Sequence, residues 1–124
     1  MDFLIDLPII YNMPRPYSVL KFKVEEVHEV LERPAEYHED KDDVFRVIKG
    51  KMHFILGGGP AGPVTTQDGL TWISSAIVGG EEFLVEGGGE VRIPAGNWHS
   101  WTAPDSAMYT VEKVPAIEGR IKPQ

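Results

Sequence analysis

The chain has no cysteine among its 124 residues. Disulfide bonds, cysteine-based zinc sites and a thiol nucleophile are therefore excluded. Positive charge is also scarce, because 12 lysines and arginines stand against 19 acids and leave a formal net charge of −7. Such an acidic chain repels the phosphates of nucleic acid and of anionic membrane lipids, so we expect neither as a partner.

Long hydrophobic runs are missing too. No stretch approaches the ~18 apolar residues that a membrane-spanning helix needs. The first residues include Asp2 and Asp6, where a secretory signal would carry positive charge. We therefore expect a soluble cytoplasmic protein. Hydrophobic residues nevertheless make up 42% of the chain, which is enough to form the core of one globular domain.

What the chain does contain is a series of short apolar stretches separated by glycines. Their alternation of apolar and polar residues predicts strands at residues 18–32, 43–49, 51–56, 71–78, 82–85, 90–93, 98–102 and 107–114. Helix is a rival for residues 24–31, although the valines there favour a strand. Gly50 and the triplet Gly87–Gly89 are predicted to form hairpin turns. Short strands with glycine turns predict an all-β barrel or jelly roll.

The segment from Pro94 to His99 combines three special residues in six positions. Pro94 cannot donate a hydrogen bond to a sheet and should end a strand. Gly96 can adopt a positive φ, so the backbone can reverse there. We expect His99 to be the first residue of the next strand, with its position fixed by a rigid turn.

A second group of polar residues lies far upstream. Residues two apart on a strand share a face, so Glu36 and His38 should both point into the barrel. Asp43 should begin a neighbouring strand, with Phe45 continuing its inward face. With His99 from a third strand, four oxygen and nitrogen donors could converge. Imidazole and carboxylate groups in this number suit one divalent ion such as Mn, Fe, Ni or Zn.

The spacing of Gly88, Pro94, Gly96 and His99 resembles the second motif of the cupin family, with Ala103 where that motif ends in asparagine. Glu36, His38, Asp43 and Gly50 resemble the first motif in a degenerate form. There, Glu36 stands in place of a histidine, Asp43 in place of a glutamate, and Val30 in place of the opening glycine. The resemblance covers about residues 30–114.

The resemblance implies one cupin domain, a double-stranded β-helix or jelly-roll barrel. Its N-terminal arm would span residues 1–17, its barrel 18–114 and its C-terminal tail 115–124. It also implies a bound divalent metal ion, a small-molecule ligand and a homodimer. The apolar residues Phe3–Ile10 could add to a neighbouring sheet edge in that dimer.

Alternatives to metal binding stay open at this point. Glu36 and Asp43 could instead form ion pairs with Arg46, Arg92 or Lys49, and the barrel could contain no metal. Asp42 is a weaker substitute for Asp43, because alternation predicts that it points outward. His28 and His53 are expected to lie outside the site, with His53 on an outward face.

Aromatic residues are expected to form a substrate pocket beside the metal. Trp101 is two residues after His99 and should share its face, and Phe45 should face the same interior. Tyr109 on the last strand is a candidate acid or hydrogen-bond donor. Glu36 or Tyr109 would move protons during catalysis.

Three functions are consistent with this pattern. The first is metal-dependent Lewis-acid and acid–base chemistry on a small oxygenated molecule, of the isomerase, lyase or cyclase type. The second is an Fe(II)-dependent dioxygenase. The third is a non-catalytic cupin that binds a sugar or another metabolite. The additional carboxylate at Glu36 favours a harder cation and thus the first function.

Overall fold

The computed structural model describes residues 16–23, 34–104 and 106–115. These residues form antiparallel sheets and contain no helix, so the all-β prediction is confirmed. The described part of the chain accordingly has no helix that could cross a membrane. The predicted arm at residues 3–10, the rest of the first strand up to residue 32 and residues 116–124 of the predicted tail lie outside the described residues, while Pro115 belongs to the last strand. The homodimer expected from the arm stays a prediction.

Ten strands are present in the described residues, and all are named here in chain order. They are β1 Ser18–Lys23, β2 Ala35–His38, β3 Lys41–Leu56, β4 Gly59–Pro60, β5 Thr65–Thr66, β6 Thr71–Ser74, β7 Ile77–Val78, β8 Glu81–Ile93, β9 His99–Thr102 and β10 Ala107–Pro115. The main sheet has the order β1-β8-β3-β9-β2-β6-β5, with β10 also paired to β3, while β4 and β7 form a separate pair. The predicted strand at 71–78 is thus two strands, β6 and β7.

Two strands are much longer than the sequence predicts. Strand β3 has 16 residues and continues through Gly50, and β8 has 13 residues and continues through Gly87–Gly89. The hairpins predicted at these glycines are therefore wrong. The register between β3 and β8 shifts between Arg46 and Lys51, next to the glycines, which is the pattern of a β-bulge. A bulge bends a strand without reversing it.

The bulge divides each long strand into halves with different neighbours. The first half of β3 lies between β10 and the second half of β8. The second half of β3 lies between β9 and the first half of β8. In a straight strand Asp43 and Leu56 would lie about 43 Å apart at ~3.3 Å per residue. Yet Asp43 contacts His99, which is the register partner of Leu56, so β3 bends back across the interior.

The hydrophobic core fills the space that this bend encloses. Its buried members all come from β3 and β8: Phe45, Val47, Met52, Phe54, Leu56, Val85, Val91 and Ile93. Trp101 and Tyr109 pack against them from β9 and β10. With Val19 from β1, five strands thus surround one interior, and their inward residues continue directly into the polar site described below.

The bend at Gly50 can be tested with a matched pair of glycine substitutions. Gly50 and Gly69 have similar positive φ angles, 86° and 77°. A Cβ at Gly50 would collide with the carbonyl oxygen of Ser106, whereas a Cβ at Gly69 has nothing within 4 Å. Gly69→Ala should lower the free energy of unfolding by about 1 kcal/mol, from backbone conformation alone. Gly50→Ala should lower the free energy of unfolding by about 2 kcal/mol more than Gly69→Ala does, because the steric overlap with Ser106 adds to the backbone effect. Urea unfolding measures both, and equal losses would contradict a close approach of the backbone at Gly50.

Candidate metal centre

The turn before β9 has the conformation that its sequence predicts. Gly96 has a φ of 91°, and β9 begins at His99. The side-chain amide of Asn97 donates to the carbonyl oxygen of Pro94 at 3.1 Å. The backbone N–H of Gly96 donates to the carbonyl oxygen of His38 at 2.9 Å. The turn that carries one histidine is thereby fixed to the strand that carries the other.

Asp42 holds the same turn from a third strand. Its Oδ1 accepts a hydrogen bond from the backbone N–H of Ala95 at 2.9 Å. The expectation that Asp42 points outward is wrong, because the residue is 1% exposed. Both faces of β3 are covered at this point, with Asp43 toward the interior and Asp42 against the turn. Asp42 is thus a positioning residue for His99, and its Oδ1 is engaged in that role.

Each histidine is oriented through its Nδ1 atom. Nδ1 of His99 lies 3.2 Å from the carbonyl oxygen of Asn97, which can only accept. In the neutral ring the proton therefore sits on Nδ1, and Nε2 keeps its lone pair. Nδ1 of His38 lies 3.0 Å from Oγ1 of Thr71, a hydroxyl group that can accept from the ring or donate to it. Metal-binding histidines are commonly oriented in this way.

The four residues predicted as metal ligands come together in one place, named here the carboxylate–imidazole cluster (Glu36, His38, Asp43 and His99). Oδ2 of Asp43 lies 3.1 Å from Nε2 of His99 and 3.4 Å from Nε2 of His38. Oε1 of Glu36 lies 3.5 Å from Nε2 of His38. One donor atom from each of Glu36, His38 and His99 lies within 4.8 Å of the others, so these three could hold a metal ion.

Two properties of the carboxylate–imidazole cluster fit a bound cation. These are the distances between its donor atoms and the buried polar atoms that lack hydrogen bonds of good geometry. Two ligand atoms that each lie about 2.1 Å from a metal ion are ~3.0 Å from each other when the angle at the metal is a right angle. They are ~3.4 Å apart when that angle is tetrahedral. The N···O distances above lie close to these values. Nε2 of His38 and both oxygens of Asp43 are buried and make no hydrogen bond of good geometry in the described structure, although Lys113 forms an ion pair with Oδ1 of Asp43. Lone pairs facing one another at this distance repel unless a proton or a metal ion lies between them.

Asp43 is the most strongly perturbed acid in the described structure. Burial alone would raise the pKa of its carboxyl group, but polar contacts with His38 and His99, the positive charge of His99 in its protonated form and a polar contact with Lys113 together outweigh burial. The pKa of Asp43 is therefore held well below its usual range. Nζ of Lys113 lies 3.0 Å from Oδ1 of Asp43. The carboxylate thus stays ionised at any physiological pH.

Lys113 is a site residue that the sequence reasoning missed. The ion-pair partners proposed for Asp43 and Glu36 were Arg46, Arg92 and Lys49, and Arg46 instead pairs with Glu90 and Glu112. The sequence did contain a signal that Lys113 faces the site, because it lies four residues after Tyr109 on β10. Alternation puts both residues on one face of that strand.

A cavity of about 220 Å³ opens beside the carboxylate–imidazole cluster. Its lining combines acids and a histidine of the cluster with aromatic rings and one lysine: Pro34, Glu36, Asp43, Phe45, His99, Ser100, Trp101, Tyr109, Val111 and Lys113. The rings of Trp101 and Tyr109 pack edge to face at 5.1 Å, and Phe45 lies 6.2 Å from Trp101. The residues predicted to form a pocket therefore line one cavity next to the candidate ligands.

His53 differs from its predicted placement but stays outside the cluster. It is 2% exposed, whereas alternation predicted an outward position. Its Nε2 lies 3.3 Å from Oε1 of Glu82. It is on the opposite face of β3 from Met52 and Phe54, and that face is covered as well.

No protein-family model matches the chain, and no curated protein matches it. The geometry of the site is therefore the basis for assigning its chemistry.

Substitution of Asp42 tests how the turn positions His99. Asp42→Ala leaves the buried N–H of Ala95 without its acceptor and should lower the free energy of unfolding by about 1–3 kcal/mol. Asp42→Asn keeps the Oδ1 acceptor and should cost less. The control is Asp40→Ala, an exposed acid two residues earlier, which should change stability by less than about 0.5 kcal/mol. Urea unfolding measures the stability of the three variants. Equal stability of Asp42→Ala and the wild type would contradict the role of Asp42 in holding the turn before His99.

Proposed function

We propose that this protein is a metal-dependent, single-domain cupin that acts on a small oxygenated organic molecule. Its chemistry would combine a Lewis acid with general acid–base groups, as in an isomerase, lyase or cyclase. The observation that carries the proposal is the carboxylate–imidazole cluster on the wall of an aromatic cavity. The four residues come from three strands and were predicted as ligands from their spacing.

The strand pairing supports the jelly-roll part of the proposal. One set of neighbours is β10, the first half of β3, the second half of β8, and β1. The other is β5, β6, β2, β9, the second half of β3, and the first half of β8. Two antiparallel sheets that share bent strands in this way are compatible with a jelly roll.

His38 and His99 would hold the metal through Nε2, together with the carboxylates of Asp43 and Glu36. Mn, Fe, Ni and Zn all suit such a mixed nitrogen and oxygen set. The bound ion would supply a Lewis acid that polarises a carbonyl group or stabilises an enolate oxygen. The protein supplies the rest of the chemistry through its own side chains.

Glu36 is the better placed of the two acids for proton transfer. Its side chain is 43% exposed and lines the cavity, whereas the side chain of Asp43 is 1% exposed and already contacts both imidazoles and Lys113. A carboxylate at the cavity wall can accept a proton from a bound molecule at its free oxygen. Tyr109 lines the same cavity, and its hydroxyl group could donate a proton to the product.

A dioxygenase is the second candidate, and one observation favours it. Two imidazoles and a carboxylate that leave coordination positions open are the ligand set of Fe(II) oxygenases. The second carboxylate, Asp43, lowers the charge of the site and favours harder, non-redox ions. We therefore place the isomerase or lyase chemistry first.

Metal content tests the site directly, with a buried histidine as the control. The purified wild type is titrated with Mn²⁺, Ni²⁺, Zn²⁺ and, without oxygen, Fe²⁺. We expect near-stoichiometric binding of at least one ion. His38→Gln and His99→Gln should each weaken binding by more than about tenfold, because each removes one ligand. His53→Gln changes a histidine outside the cluster and should bind as the wild type does. Equal binding by all four proteins would contradict the metal site.

Proton transfer can be followed before the substrate is known. The metal-loaded protein is incubated with pyruvate and related 2-oxo acids in deuterated water, and exchange of the hydrogens next to the carbonyl group is followed by NMR. We expect catalysed exchange by the wild type and loss of exchange in Glu36→Gln, with each rate divided by the amount of metal that the protein binds. An oxygen electrode run in parallel covers the second candidate. Bound iron with substrate-dependent oxygen uptake would contradict the isomerase or lyase assignment.

A further inference from the structure

The cavity has an unusual distribution of charge, set by Lys113. Among the described residues that line the cavity, Lys113 is the one lysine or arginine, and the same lining has two carboxylates, those of Glu36 and Asp43. Its side chain is 46% exposed, while its partner Asp43 is 1% exposed. The ammonium group therefore lies between the buried acid and the open space. It has three N–H donors, and a single contact with Asp43 leaves others for a bound molecule.

The net charge of the lining determines which molecules it attracts. Glu36 and Asp43 are negative, Lys113 is positive, and neutral imidazoles add nothing. The lining therefore has one negative charge in the absence of a metal. A divalent cation in the carboxylate–imidazole cluster turns this into one positive charge. A site of that charge favours a ligand with a single negative charge.

The aromatic walls of the cavity indicate the size and shape of the uncharged part of that ligand. Phe45, Trp101 and Tyr109 form a continuous aromatic surface, with ring centroids 5.1 to 6.2 Å apart. A volume of about 220 Å³ admits only a small molecule. It corresponds to about seven waters at ~30 Å³ each. Flat unsaturated or aromatic groups pack well against such rings.

We propose that Lys113 is a specificity-determining residue that binds the carboxylate of a small, flat monocarboxylate substrate. This inference rests on the proposed metal-dependent function, because the positive charge of the cavity requires the ion. Lys113 would take the carboxylate while the ring or double bond of the substrate lies against the aromatic wall. The oxygenated reactive end would then face Glu36 and the metal-binding histidines.

The test compares a charged and an uncharged probe of the same shape. Benzoate and benzamide are titrated by calorimetry into protein loaded with the ion that binds most tightly. The wild type should bind benzoate more tightly than benzamide. Lys113→Met removes the charge and should weaken benzoate binding by roughly tenfold to a hundredfold, since hydrogen bonds to charged groups are strong. Benzamide binding should change little.

Two control variants separate charge from structure. Lys49→Met removes one positive charge from an exposed position of β3 outside the cavity and should bind benzoate like the wild type. Lys113→Arg keeps the charge and should retain most of the affinity. Equal benzoate affinity of Lys113→Met and the wild type would overturn the inference while leaving the metal site intact. Failure of benzoate to bind the metal-loaded wild type would overturn it as well.

Metal content is measured on every sample, so the two proposals fail in different ways. Absence of bound metal from the wild type contradicts the proposed function itself. Loss of metal from Lys113→Met alone overturns the inference in favour of a role for Lys113 in holding Asp43.

Discussion

The contact of Asp43 with both imidazoles is the interaction on which the rest of the structure depends. Oδ2 of this buried acid lies 3.1 Å from His99 and 3.4 Å from His38. The three residues come from three strands, and β3 reaches this point only because it bends at its bulge. The same bend encloses the hydrophobic core, so the fold and the site result from one backbone feature. A charged acid is stable at this depth because cationic or hydrogen-bonding partners surround it.

The two sides of the site differ in rigidity and exposure. The histidine side is buried and fixed, with each Nδ1 bound to Asn97 or Thr71, and the turn before His99 is held by Asp42. The cavity side has the exposed carboxylate of Glu36 and the ammonium of Lys113. This asymmetry is consistent with the proposed metal-dependent function, in which ligands hold their positions while groups that meet the substrate stay accessible.

Local features of the sequence predicted much of the site. The proline and glycine before His99 have local consequences for φ and hydrogen bonding, and the turn followed from them. Strand alternation is also local, and it correctly predicted that Glu36 shares a strand face with His38 and that Trp101 shares one with His99. The hairpins at Gly50 and Gly87–Gly89 were wrong because a glycine with positive φ serves a bulge as well as a turn. Only the pairing of β3 with β8 distinguishes a bulge from a hairpin turn. That pairing joins residues far apart in the sequence, so the local pattern does not reveal it. Asp42 and His53 were placed outward because alternation cannot tell that a strand is covered on both faces.

The most direct test of the account is the position of a bound ion. Crystals grown with Mn²⁺ and measured for anomalous scattering would locate it without reference to activity. We predict one strong peak about 2.1–2.3 Å from Nε2 of both His38 and His99, with a carboxylate oxygen of Asp43 or Glu36 at a similar distance. No peak at the cluster, or a peak elsewhere in the molecule, would contradict the central claim that these side chains form a metal centre.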